Sequence, residues 1–108
     1  LGIRPSIDSE GCLQDGHWSE GAFGYFPSYL IGHIISAQIS YSLEKDLGLI
    51  DDLIENKEYK KIILWLKENV HCYGRSLNAM ELVKRVSDHD LSPDFFINYL
   101  RNKIDALN

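Results

Sequence analysis

From Pro27 almost to the end of the chain, apolar side chains recur at helical spacing. Nowhere do they alternate with period two for long enough to mark a strand. The run SYLIGHIISAQISYSLEKDLG carries Leu30, Ile31, Ile34, Ile35, Ala37, Ile39, Tyr41 and Leu43. These positions cover most of a helix's circumference, which predicts a helix buried on several sides. Pro27 or Ser28 starts it, since a missing N–H costs nothing in an opening turn, and Gly48 stops it with Lys45 in the last turn. A chain of 108 residues has difficulty covering such a helix alone.

The remaining helices are more one-sided. A short piece, LIDDLIEN, precedes EYKKIILWLKENVHCYG, whose Tyr59, Ile62, Ile63, Leu66 and Val70 share a face and whose closing residue is Gly74. SLNAMELVKRVS opens on Ser76 as N-cap and turns Leu77, Met80, Val83 and Val86 inward. LSPDFFINYLRNKIDAL starts with Ser92 as N-cap, Pro93 in the first position and Asp94 in the first turn. Its apolar face is Phe96, Tyr99, Leu100, Ile104 and Leu107. The expected fold class is all-α, with residues 1–26 an irregular loop held against helices over 27–108, in a single portion of a larger catalytic domain.

The loop has a composition of its own. GCLQDGHWSEGAFGYFPSY, from Gly11 to Tyr29, gathers a carboxylate, an imidazole, an indole and two phenols among glycines. Asp15 and His17 fall on one side if this piece is extended. Tyr25 and Tyr29, four apart, share a face if both are helical. An imidazole and two phenols turned to one point can donate hydrogen bonds to an oxyanion and a carboxylate. On residue types alone the competing reading is an aromatic plug that seals the helices.

Composition narrows the partners. Hydrophobic residues at 44% and charged residues at 25% are ordinary for a folded globular chain. A net charge of −5 argues against duplex nucleic acid or an anionic membrane as main partner, since both select for Lys and Arg. LGIRPSIDSE lacks the basic and apolar runs of a secretory leader, and Leu1 stands where a complete chain has Met, so a C-terminal piece of something longer is expected. Cys12 and Cys72 lack metal-ligand spacing and are expected to be buried or incidental thiols. The four histidines, His17, His33, His71 and His89, contain no His-Glu-x-x-His pair, so no metal site is expected within this chain. His33 reads as a core histidine, His71 as a helix-end cation and His89 as a solvated turn residue.

The order of the loop residues resembles a signature of the zinc metallocarboxypeptidases of the thermostable carboxypeptidase (carboxypeptidase Taq) family. Gly11, Gln14, Asp15, His17 and Trp18 match its Gly-x-x-Gln-Asp-x-His-Trp motif. Phe23, Gly24, Tyr25, Phe26, Pro27 and Tyr29 match a following Phe-Gly-Tyr-Phe-Pro-Thr-Tyr, with Ser28 for Thr. Gly16 departs from the apolar residue usual in the family. The helices after Ile63 resemble the family's C-terminal helices, so the likeness runs over nearly the whole chain.

The resemblance implies a cytoplasmic enzyme that removes single residues from the free C-terminus of peptides with broad specificity. It implies zinc, or another divalent metal, held by ligands upstream of this chain. By a weaker analogy with helical zinc dipeptidases, His17 and Tyr29 are the expected catalytic residues, His17 donating to the bound peptide or oxyanion and Tyr29 steadying the oxyanion. Tyr25, Gln14 and Asp15 are expected at the substrate, Tyr25 on its terminal carboxylate, with the two tyrosines exchangeable. Asp15 orients His17 or pairs with an upstream Arg. The implied partners are peptide substrates and the upstream part of the same protein, with room for a homodimer. From another class, the alternative is a helical binding module that kept the family's sequence without its catalysis.

Overall fold

The computed structural model describes residues 2–107, and every regular element among them is helical, as expected from the sequence. Short 3-10 turns at Asp8–Glu10 and Cys12–Gln14 lead into one helical turn, α1 (Gly16–Ser19). The longer helices are α2 (Pro27–Leu47), α3 (Ile50–Glu55), α4 (Tyr59–Asn69), α5 (Ala79–Ser87) and α6 (Asp94–Asp105). The chain divides into two compact units, residues 1–31 and 32–108.

In the second unit the core is small. Leu43 of α2, Leu53 of α3 and Trp65 of α4 are buried together, with Ile39, Leu47, Ile50, Ile62, Leu66, Val70 and Val86 packed around them. The α2–α3 turn is set by chemistry read from the sequence. Gly48 takes φ +91°, open to glycine without strain, and its N–H closes the helix on the Glu44 carbonyl at 2.9 Å. Glu44 Oε1 then accepts the first free N–H of α3, from Ile50, at 3.2 Å.

Helix α4 differs from expectation by one face. Its inward side is Ile62, Trp65, Leu66 and Val70, while Tyr59 and Ile63 are exposed. Trp65 lies three residues after Ile62 and one before Leu66, so it belongs to the same stripe. Its indole N–H donates to Asp46 Oδ2 at 2.7 Å, which satisfies the one polar atom that burial would strand.

The N-cap of α5 is Asn78, not Ser76. Asn78 Oδ1 accepts from the Glu81 N–H at 3.0 Å, and Glu81 Oε2 accepts from the Asn78 N–H at 2.9 Å, a complete capping box. Ser76 instead donates to the Tyr73 carbonyl. The carboxylate three residues after Asn78 decides the contest, because it satisfies a second backbone donor. At α6 the N-cap is Pro93 rather than Ser92, which lies one residue earlier; its Oγ still accepts the Asp94 N–H at 3.1 Å.

Behind α5 a buried amide organises the connection to α6. Gln38, fully buried on α2, donates to Ser87 Oγ at 2.8 Å and to the carbonyls of Asp90 and His89 at 3.1 and 3.3 Å. Its Oε1 accepts the Ser92 N–H at 3.1 Å. One side chain thus ties down the turn between two helices, whose backbone groups have no helical partner there.

Several apolar positions expected inside are exposed. Met80, Tyr99, Leu100, Ile104 and Leu107 face out, as do Leu30, Ile31 and Tyr41 of the helix read as buried all round. His33 is also exposed rather than in a core, its ring stacked on Phe96 at 6.0 Å. Cys12 and Cys72 are exposed free thiols. Within the second unit the four shorter helices, α3 to α6, cannot enclose the whole circumference of α2, so periodicity alone overstated burial.

Candidate active site

The first unit is built around Asp15. Its backbone is extended, at φ −90° and ψ 106°, which places its carboxylate over the start of α1 as an N-cap. Oδ1 accepts the His17 backbone N–H at 3.0 Å and meets His17 Nδ1 at 2.6 Å. One oxygen therefore caps the turn and grips the ring. The two side chains meet through a helical cap, not through the extended segment expected. The backbone N–H of His17, followed by its ring, holds the Asp15 carboxyl below the usual carboxylate range.

The chain then folds back over the ring. The Ala22 N–H reaches the His17 carbonyl at 2.9 Å, and Gly21 at φ +72° and Gly24 at φ +77° make the reversal. This returns Tyr25, Phe26 and Tyr29 to His17, with ring centroids 5.5, 5.9 and 5.8 Å away. Tyr25 and Tyr29 meet edge to face at 5.7 Å, although Tyr25 precedes α2 rather than sharing its helix. Tyr29 Oη lies 3.5 Å from His17 Nε2, at the outer limit of a hydrogen bond. Both phenols are about half exposed, Tyr25 at 54% and Tyr29 at 51%, so a ligand can reach them.

Asp15, His17, Tyr25 and Tyr29 are thus brought together. Gln14 is turned elsewhere: its amide Nε2 donates to the Ser9 carbonyl and braces the preceding loop. Trp18 packs edge to face on Phe23 at 5.4 Å. Phe26 was not singled out from sequence, yet its ring meets both His17 and Tyr29. Its sequence signal was its match to the second motif, between Tyr25 and Pro27, to which no site role was attached.

Residues 1–104 match the family described as carboxypeptidase Taq (M32) metallopeptidase. The chain belongs to that family. It is 41% identical over 107 residues to carboxypeptidase 1 of Bacillus subtilis (strain 168), covering 99% of this chain and 21% of that protein. With thermostable carboxypeptidase 1 of Pyrococcus furiosus it shares 39% over 103 residues, 95% of this chain and 21% of the relative. With thermostable carboxypeptidase 1 of Thermus thermophilus it shares 34% over 107 residues, 99% of this chain and 21% of the relative. This M32 chain therefore spans about a fifth of the length of the curated relatives it matches. No solved structure matches it.

Membership of a metallopeptidase family implies a metal in the full-length enzyme. Among the described residues no three His, Cys, Asp or Glu side chains gather as a metal centre. His17, the one histidine of the cluster, spends Nδ1 on Asp15. The side chains gathered in this M32 segment, a carboxylate, an imidazole and two phenols, are hydrogen-bonding groups. No helix among the described residues is long and apolar enough to cross a membrane.

Proposed function

We propose that this chain is the C-terminal part of a zinc-dependent carboxypeptidase that hydrolyses the last peptide bond of peptides with broad specificity. Its share of the work is to hold the peptide and steady the oxygen that gains charge, while the ligands for zinc, or another divalent metal, lie upstream. The observation that carries the reading is the meeting of two half-exposed phenols on one imidazole anchored by a carboxylate.

The division of labour follows from the chemistry of each group. A peptide carbonyl under attack by water becomes a tetrahedral oxyanion, which a fixed O–H or N–H donor stabilises more than it does the ground state. In this reading Tyr29 takes that role, which the nearness of its hydroxyl to His17 Nε2 supports. Tyr25, on the neighbouring edge, offers its hydroxyl to the terminal carboxylate of the substrate. Asp15 supports His17, and Gln14 supports the loop that carries both. The same reading makes peptides with a free C-terminus and the upstream part of the polypeptide the working partners, in the cytoplasm, and admits a homodimer.

Tyr29→Phe in the full-length enzyme tests the assignment. Loss of one oxyanion donor lowers kcat by roughly 10²–10³. An unchanged kcat on a C-terminal peptide substrate rejects the role.

A further inference from the structure

Resting on the reading above, we propose that Asp15 fixes His17 in the Nδ1–H tautomer. The neutral ring then turns an accepting Nε2 toward Tyr29, and the phenol, not the imidazole, is the group free to donate to a bound peptide.

Two contacts carry the argument. Neutral imidazole has one N–H and one lone pair, and a carboxylate oxygen can only accept. His17 Nδ1 lies 2.6 Å from Asp15 Oδ1, which already holds the His17 backbone N–H at 3.0 Å. The ring proton therefore belongs on Nδ1, and Nε2 keeps its lone pair. The group facing Nε2 is the Tyr29 hydroxyl at 3.5 Å, which can turn its proton toward that lone pair. At that distance the bond is weak, so the hydroxyl is kept nearby at little cost in swinging away.

The consequence changes one expected role. A donor function for His17 through Nε2 needs the doubly protonated ring. A neutral His17 is a positioning residue that stations the phenol. Tyr25 lies against the ring at a tilt of 32°, with centroids 5.5 Å apart, and Phe26 offers no polar atom, so Asp15 and Tyr29 are the polar groups placed at the two nitrogens.

The test is two-bond ¹H–¹⁵N correlation spectroscopy on ¹⁵N-histidine-labelled full-length protein without substrate, at about pH 9, where an ordinary histidine is neutral. Loss of one signal set in His17→Gln assigns the residue. The expected spectrum shows a protonated nitrogen at Nδ1 and an unprotonated one at Nε2. In Asp15→Asn the side chain still caps α1, because Asn is as good an N-cap as Asp. The loss of negative charge is expected to move the population toward Nε2–H. In Tyr29→Phe the Nδ1–H form is expected to persist, since Asp15 is untouched. An Nε2–H ring in the wild type, or an unchanged tautomer in Asp15→Asn, overturns the proposal. Because the spectrum is read without turnover, its outcome is separate from whether the enzyme cleaves peptides.

Discussion

Replacing Gln38 by Met is the sharpest test of how the second unit is held. Met approximates the volume and flexibility of Gln, so the change removes hydrogen bonds and leaves little cavity. The amide has two N–H groups shared among Ser87 Oγ and the Asp90 and His89 carbonyls, and its oxygen takes the Ser92 N–H. Counting two donated bonds and one accepted, at a net ~1 kcal/mol each, gives ~3 kcal/mol of lost stability. The larger penalty for fully stranded groups does not apply in full. Asp90 is exposed and Ser92 half-buried, so water reaches some of the released partners. In urea, with a slope of ~1.5 kcal/mol per molar, the midpoint falls by ~2 M. Far-UV circular dichroism reads the transition. Ser42→Ala is the control: its hydroxyl bonds only back to the Gln38 carbonyl within α2, at 3.2 Å, and its loss should cost under ~1 kcal/mol. A midpoint shift below ~0.5 M for Gln38→Met, at unchanged slope, would refute the view that one buried amide secures the α5–α6 connection.

Three further outcomes are expected. Asn78→Ala costs ~1 kcal/mol through loss of the α5 cap, whereas Ser76→Ala leaves the urea midpoint within the error of measurement. Asp46→Ala removes the acceptor of the Trp65 indole and costs ~1.5 kcal/mol, with a shifted Trp65 emission maximum, while Asp46→Asn retains most of both. The Asp15 carboxyl is held low by the His17 N–H and ring, so its stabilising effect on α1 is complete above the ordinary carboxylate range and fades as pH falls through the depressed folded value. An NMR titration read at the Asp15 carboxyl carbon should therefore place its protonation below the ordinary aspartate range; protonation within or above that range contradicts the contact.

What the sequence revealed and what it hid have separable causes. The helix stop at Gly48 was legible, at positive φ where the pattern ended, whereas α4 stops at Asn69 and Gly74 closes a separate 3-10 turn over His71–Tyr73. The start of α5 was misread by two residues because Ser76 and Asn78 are both good caps, and only the carboxylate of Glu81 separates them. Trp65 escaped notice because a stripe through Ile62 and Ile63 looks as apolar as one through Ile62 and Trp65. The two share Ile62, Leu66 and Val70 and differ by a rotation smaller than the ~100° step between successive residues. In the loop, residue types announced Asp15, His17, Tyr25 and Tyr29, but the route by which they meet was hidden. A single carboxylate oxygen that caps a turn and grips a ring is a matter of three-dimensional aim.

That route also decides how cleanly the site can be probed. None of the helical turns over Asp8–Ser19 buries a side chain, and the aromatic rings that follow are exposed on at least one side. The first unit is therefore held by caps, glycine turns and ring edges rather than by a core. Tyr29→Phe keeps every ring edge that Tyr29 makes, with Tyr25, Phe26 and His17. It gives up only a hydroxyl contact of 3.5 Å, so the melting temperature should move by no more than ~1 °C. A fall in kcat beside an unmoved melting curve can then be assigned to the missing donor. Removing the ring of His17 with Ala withdraws three aromatic contacts at once, and a collapse in melting temperature with intact specific activity would make that residue a brace for the loop rather than part of the chemistry.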